Sequence, residues 1–448
     1  MTGSSPGAVD IGALIDEGAW SGYQKLLTFL AALAILFDGF DIQVLGLAIP
    51  SLIREWHVAR TDFGPVLAVG LAGMTIGGPL AGYWGDRFGR RSALTGCVTV
   101  FGLATVATAF VQGFAGLTFL RFLTGLGTGG ALPNATALAA EFAPLRRRAV
   151  AVKLTLVCVS LGGMLGALLA AEILPSLGWR GLYGIGGVLP LVFAVVLGTG
   201  VPESPRFLVR KAARWSELGR FLRRLGHAVP EGAAFEDRTE SRAAGVVSVK
   251  TLFRPGLARD TAGLWVAFFS CLGSIYLVFG WLPEMLRTSG LDAAAASSGL
   301  AMYNLGGVLG VLVWAGLMPL LGSRRPMLSG ALACAASAAL VLAVPVEMRG
   351  GNGLLLACIA MNGLLANAVQ TSLYALASHV YPTSVRATGV AYAATMGRIG
   401  GLLSSLAGGV LMLGGGRAYW SVLAVSMVAA FGGIAWVRGH IPVMRRGG

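Results

Sequence analysis

Asp38 and Asp41 stand three residues apart inside an unbroken apolar run, Leu26 to Pro50 (LLTFLAALAILFDGFDIQVLGLAIP). A helix rising 1.5 Å per residue needs about 20 residues to cross ~30 Å of hydrocarbon, so this run is long enough to span a membrane. An aspartate at the centre of such a helix costs roughly 2.5–3.5 kcal/mol on insertion scales, and acids placed there face a protein interior or a water-filled cavity. Spacing by three puts both carboxylates on one helix face. Two acids so close titrate as a coupled pair. Screened from bulk water, such a pair suits the uptake and release of a proton. The competing reading makes one of them a structural partner for an arginine or a helix end. Spacing does not decide which one carries the proton.

Two bases also fall inside apolar runs, Arg121 and Arg398. Arg121 precedes a glycine-rich stretch (Gly125, Gly127, Gly129, Gly130) that lets its helix press on a neighbour. It can pair with Asp38 or Asp41, or touch a substrate directly. Arg398 lies near the middle of its run, too deep to reach the interface easily, and needs an anion. A guanidinium binds a carboxylate through two parallel hydrogen bonds, so a carboxylate substrate fits. The alternative is a permanent pair with Asp38 or Asp41, because the other acids lie at helix ends or in loops.

The chain that must position these residues has 448 residues, 55% hydrophobic and 12% charged. Soluble proteins carry about 25% charged residues, so this composition is that of an integral membrane protein. Apolar runs are expected to span at 26–50, 63–83, 93–112, 115–139, 149–173, 181–200, 260–285, 295–321, 327–346, 353–378, 387–413 and 418–437. That gives an all-α fold of twelve spans. Six form an N-terminal bundle over 26–200 and six a C-terminal bundle over 260–438. Residues 1–25 and 439–448 are tails and 201–259 is a central loop. An even count puts both ends on one face. The net charge of +14 is unevenly spread. The face opposite the ends holds only Arg54, Arg60, Arg180, Arg287, Arg349 and Arg417, which makes the termini and the central loop cytoplasmic. The basic excess therefore reports topology and proximity to the lipid bilayer, not a nucleic-acid partner. The polar residues 1–25 include Asp10, Asp16 and Glu17 and do not read as a cleavable signal peptide. Five single cysteines, none in a CxxC pair, predict neither a metal site nor a disulfide framework.

The turn after the second span, Gly82-Tyr83-Trp84-Gly85-Asp86-Arg87-Phe88-Gly89-Arg90-Arg91, is a tight basic turn with glycines where the backbone must bend. Its Asp86 and arginines can bond a neighbouring helix end and release it. It resembles the loop signature of the major facilitator superfamily. Pro202-Glu203-Ser204-Pro205-Arg206 resembles a motif of that superfamily's sugar and organic-ion branches. Residues 38–52, 121–148 and 381–401 together look like its aromatic acid:proton symporter branch. The turn after the eighth span, Gly322-Ser323-Arg324-Arg325-Pro326, lacks the acid such turns often carry, so the charge gate is expected to lie mostly in the first half.

The resemblance implies a proton-coupled symporter importing a small aromatic carboxylate by alternating access in a bacterial inner membrane. Protons are the coupling ion, with no other cofactor and no obligate protein partner. Asp38, Asp41 and Arg121 are the proton-coupling candidates. Arg398 with Asn134, Tyr303, Asn304, Gln370, Tyr374 and Tyr392 are the substrate-binding candidates. The gating candidates are Gly82, Gly85, Asp86, Arg87, Gly89, Arg90, Arg91, Glu141 and Arg386. The amphipathic segment 206–224 is expected to lie along the membrane surface. A carrier of a sugar or a non-aromatic acid, or an exporter, remains open on these residues. A non-transporting sensor would need a folded signalling domain, for which 201–259 is short and charged. An enzyme is disfavoured, since HExxH and P-loop motifs are missing.

Overall fold

The computed structural model describes residues 9–230, 232–237, 249–344, 352–382 and 385–443. Arg349, and residues 345–346 of the ninth expected span, lie outside them. The elements are β1 (Val9–Asp10), α1 (Ile11–Asp16), α2 (Gly22–Trp56), α3 (Phe63–Phe88), α4 (Arg90–Thr108), α5 (Phe114–Phe142), α6 (Arg148–Gly200), α7 (Pro205–Val209), α8 (Trp215–Arg224), β2 (Phe235–Glu236), α9 (Ala258–Thr288), α10 (Ala293–Leu321), α11 (Arg324–Val341), α12 (Gly353–Val380), α13 (Arg386–Leu411) and α14 (Gly415–Trp436). Eight segments are long and apolar enough to cross a membrane. Two of these, Leu145–Gly200 and Thr388–Trp436, each hold two helices, and α5 and α11 complete the expected twelve. The expected span at 26–50 runs on through Pro50 to Trp56. Within α6 the break between spans is Gly178, whose φ of 64° a residue with a Cβ rarely adopts.

The spans form two groups, α2–α6 and α9–α14. They meet along α2 and α9, α3 and α13, and α6 and α10. At the end remote from the chain termini, Arg60 and Glu284 form an ion pair of 2.6 Å that ties the groups together. Nearer the middle, Gln43 of α2 and Asn304 of α10 exchange two buried amide hydrogen bonds of 3.1 and 2.7 Å.

On the terminal face, Glu203 is buried and closes the N-terminus of α4. Its carboxylate accepts from the backbone N–H of Arg91 at 2.9 Å and of Ser92 at 3.4 Å. A carboxylate there meets otherwise unbonded N–H groups and the positive end of the helix dipole. This explains Gly89, which has φ 109° and whose hypothetical Cβ would lie 2.2 Å from the Glu203 carboxylate. Gly89→Ala is therefore expected to cost about 1–3 kcal/mol of stability from backbone strain and to displace the cap. Gly82→Ala, with nothing within 4 Å of its Cβ, should be neutral. Thermal unfolding of the purified variants checks the difference.

The second group is closed by the chain's own end. Ser323 N–H donates to Ile441 O at 3.0 Å, and Ile441 N–H donates to Ser323 Oγ at 2.8 Å. Asp260 accepts from the N–H groups of Arg438 and Gly439.

The segment 206–224 does not present its apolar face to lipid. Phe207, Leu208, Leu218, Phe221 and Leu222 are buried in a cluster with Ile11, Ile15 and Phe142. Tyr23 and Phe142 lie against the Phe221 ring at 6.2 and 5.9 Å between centroids. Parallel pairing of β1 with β2, and Asp16 bonded to Arg148 and Arg206, hold the N-terminal residues on the same cluster. An amphipathic stripe specifies an apolar partner without saying whether that partner is lipid or protein.

Candidate functional site

Although Asp38 and Asp41 share a helix, α2 delivers them to different surroundings. Asp41 is buried and accepts from Thr105 Oγ1 of α4 at 2.5 Å. Arg121 of α5 donates to its carboxylate at 3.4 Å. The same guanidinium donates to the backbone carbonyls of Asp41 and Ile42, each contact at 3.1 Å. Asp41 is thus a fastened member of a five-bond cluster joining α2, α4 and α5. Arg121 pairs with an acid, the first of its two readings.

Asp38 has no such partner. Its buried Oδ1 accepts no hydrogen bond among the described residues. It lines a cavity of about 150 Å³ between the two groups, into which Arg398 of α13 also projects. No carboxylate lies within ion-pair distance of Arg398 among the described residues. Its guanidinium reaches across towards α3, 3.5 Å from the point a Cβ on Gly78 would occupy. Aromatic walls come from Tyr276 and Phe279 of α9 and Tyr374 of α12. Tyr374 is fixed edge-on against Phe268 at 5.0 Å. Gln370 of α12 also lines the cavity, and both its amide O and N are buried without partners. Buried polar atoms are rarely left so. An apolar cavity of ~150 Å³ accommodates a benzene ring, and this one adds an acid, a base and an amide to such a volume.

A second cavity of about 30 Å³ reaches Asp41 and Arg121 and shares the Tyr276 and Phe279 walls. That is the volume of roughly one water.

Of the expected substrate contacts, the structure brings Arg398, Gln370 and Tyr374 together. The others stand elsewhere. Asn134 is buried in the α3–α5 seam, donating to Ala81 O and Gly130 O. Asn304 is consumed by Gln43 and Leu300 O. Tyr303 is buried and packs edge-on against Phe279 outside the cavity lining. Tyr392 is exposed and likewise outside it.

The gating residues are also redistributed. Asp86 is bonded to Arg90, and Arg87 to Tyr83, all within one turn. Of the arginines in this turn, Arg91 reaches the segment after α6, donating to Val201 O at 3.2 Å and lying 4.0 Å from Glu203. Gly85 packs on Asn134 and Arg90. Glu141 accepts from Ser204 Oγ, and Arg386 donates to Tyr381 O. Gln43, Thr105, Glu203 and the Arg60–Glu284 pair are contacts that sequence reasoning passed over. The only signal for Gln43 was a polar side chain two residues beyond Asp41.

The profile of the Major Facilitator Superfamily matches residues 31–346 and 264–446. A gallate transporter of Pseudomonas putida is 36% identical over 91% of this chain and 90% of its own. A 4-hydroxybenzoate transporter, PcaK, of Acinetobacter baylyi is 34% identical over 94% of this chain and 92% of its own. Among solved structures, a D-xylose–proton symporter superimposes with a TM-score of 0.73 at 20% identity. That match covers 93% of this chain and 99% of the symporter.

Proposed function

The chain belongs to the major facilitator superfamily, in its aromatic acid transporter branch, and from that premise we propose that it imports a small aromatic carboxylate together with protons. The observation that carries this reading is Arg398, a guanidinium with no carboxylate partner among the described residues, in a ring-sized cavity that also holds Asp38, whose buried Oδ1 accepts no hydrogen bond among them. A benzoate-type anion gives Arg398 its carboxylate and sets its ring among Tyr276, Phe279 and Tyr374. Offset or edge-on ring contacts add about 0.5–1.5 kcal/mol each beyond burial. Asp38 takes the proton.

Coupling follows from charge. With only one of the two ligands bound, an uncompensated charge would have to cross the low-dielectric middle of the protein. With both bound, Asp38 is neutral and Arg398 is paired, so the two groups can rock. Arg60–Glu284 ties the two groups together on the remote face, and in this reading the cavity is reached from the face bearing the termini, the cytoplasmic side of a bacterial inner membrane. This is the release side of an importer.

The test is uptake of labelled hydroxybenzoates and benzoate into proteoliposomes under an imposed pH gradient. Accumulation that follows the gradient and stops with a protonophore supports the reading. Transport of xylose but not of any aromatic acid would sink it.

Gln370 supplies a finer expectation. Its amide can bond a ring hydroxyl, and leaving such a buried polar partner unmade costs about 1–3 kcal/mol. Gln370→Leu should therefore weaken hydroxybenzoate binding by roughly 5- to 150-fold while sparing benzoate. Competition assays with the two acids measure this.

A further inference from the structure

Another cavity, of about 180 Å³, opens on the terminal face where α2, α4, α6 and α8 converge. Its polar lining includes Arg91, Arg220, Arg224, Tyr23, Thr199 and Glu217. Arg224 donates to Tyr23 Oη at 3.1 Å and lies over that ring at 5.6 Å. Arg91 is held by Val201 O. Arg220 is exposed. The one acid in the lining does not cancel these charges. Both oxygens of Glu217 are bonded to Arg214 at 2.8 Å. That contact holds its carboxyl below the usual range and keeps it an anion already satisfied from outside the cavity. A concave site with three guanidinium groups fits a phosphate.

The cavity's mouth distinguishes a lipid phosphate from a soluble one. Thr199 ends an exposed stripe of α6 formed by Val192, Val195 and Val196, at the spacing of one helix face. Leu26 and Phe29 of α2 are exposed as well, and the two helices adjoin where Phe37 meets Phe193 at 5.4 Å. An anion in the cavity would sit at the head of this apolar strip.

We propose that the cavity formed by Tyr23, Arg91, Thr199, Arg220 and Arg224 binds the phosphate headgroup of an anionic membrane lipid, with its acyl chains along the exposed strip of α6 and α2. The lipid would rest on Arg91, whose backbone is capped by Glu203, and would so brace the basic turn at the start of α4.

Native mass spectrometry of the full-length protein, titrated with phosphatidylglycerol and with phosphatidylethanolamine of the same chains, tests this. Basic side chains near an anionic surface contribute about 1 kcal/mol each. Arg220→Gln with Arg224→Gln should therefore lower phosphatidylglycerol retention by about 30-fold. Arg220→Lys with Arg224→Lys should keep most of it, and phosphatidylethanolamine should change little in any variant. Should the double glutamine variant not fold, Arg220→Gln alone, at an exposed side chain, is expected to show about a fivefold loss. Unchanged phosphatidylglycerol retention in the folded variant overturns the proposal. So does displacement of the lipid by glycerol phosphate at comparable concentration, since the site would then take a soluble anion.

Discussion

Arg398→Ala is expected to abolish saturable binding of aromatic carboxylates. Removing one partner of a buried, hydrogen-bonded charge pair costs about 2–5 kcal/mol, a loss of at least roughly 30-fold in affinity. Nothing nearby can substitute. Among the described residues Arg398 is the one base in the lining of the 150 Å³ cavity, and Arg121 is spent on Asp41 and two backbone carbonyls. Arg398→Lys keeps the charge but loses the planar fork, so it should recover part of the affinity. Equilibrium binding of a labelled hydroxybenzoate to purified protein reads the series. Alanine and lysine variants that both bind like the parent would remove Arg398 from the site. The alanine variant should stay folded, because among the described residues Arg398 makes no ion pair that its loss would break.

The second large effect separates two aspartates that share a helix face. Asp38→Asn should abolish gradient-driven accumulation while leaving substrate exchange at equal pH on both sides. Asparagine fills the same space and keeps position 38 neutral whatever the pH, so the substrate-loaded carrier can reorient but cannot be driven by protons. Among the described residues Asp38 is the one carboxylate in the cavity lining. Asp41→Asn should behave differently. It leaves Arg121 buried with its backbone partners but without an anion, and breaking a buried pair from one side costs about 3–5 kcal/mol. The expected result is a lower unfolding temperature together with a general loss of transport. Counterflow and pH-driven uptake measured side by side distinguish the two. If Asp38→Asn accumulates substrate normally and Asp41→Asn alone uncouples it, the proton assignment is reversed.

Glutamine 370, Gly89 and the Arg220–Arg224 cavity are tests of other kinds: specificity, local backbone and lipid. They share a feature with Asp38. In each, the decisive fact is what lies opposite a side chain or a missing side chain, not which residue type is present.

That distinction marks how far the sequence could be read. Span length, the even count, two bundles and the membrane orientation expected from the arginines all follow from local composition, because hydrocarbon thickness and desolvation act on each segment alone. Four ionisable residues in apolar runs stood out as candidates for the same reason. Helical periodicity could place Asp38 and Asp41 on one face, but it could not say that Thr105 and Arg121, 64 and 80 residues away, would meet only one of them. Nor could it tell Asn304, occupied by a glutamine 261 residues distant, from Gln370, left unpartnered at the cavity. The segment 206–224 carried an apolar stripe whose partner proved to be Phe142 and Ile11, not lipid. In every case the sequence alone settled that a polar or apolar face must be satisfied, since that requirement is local. Only the tertiary packing settled by what, because the partner is chosen by how twelve helices fit together.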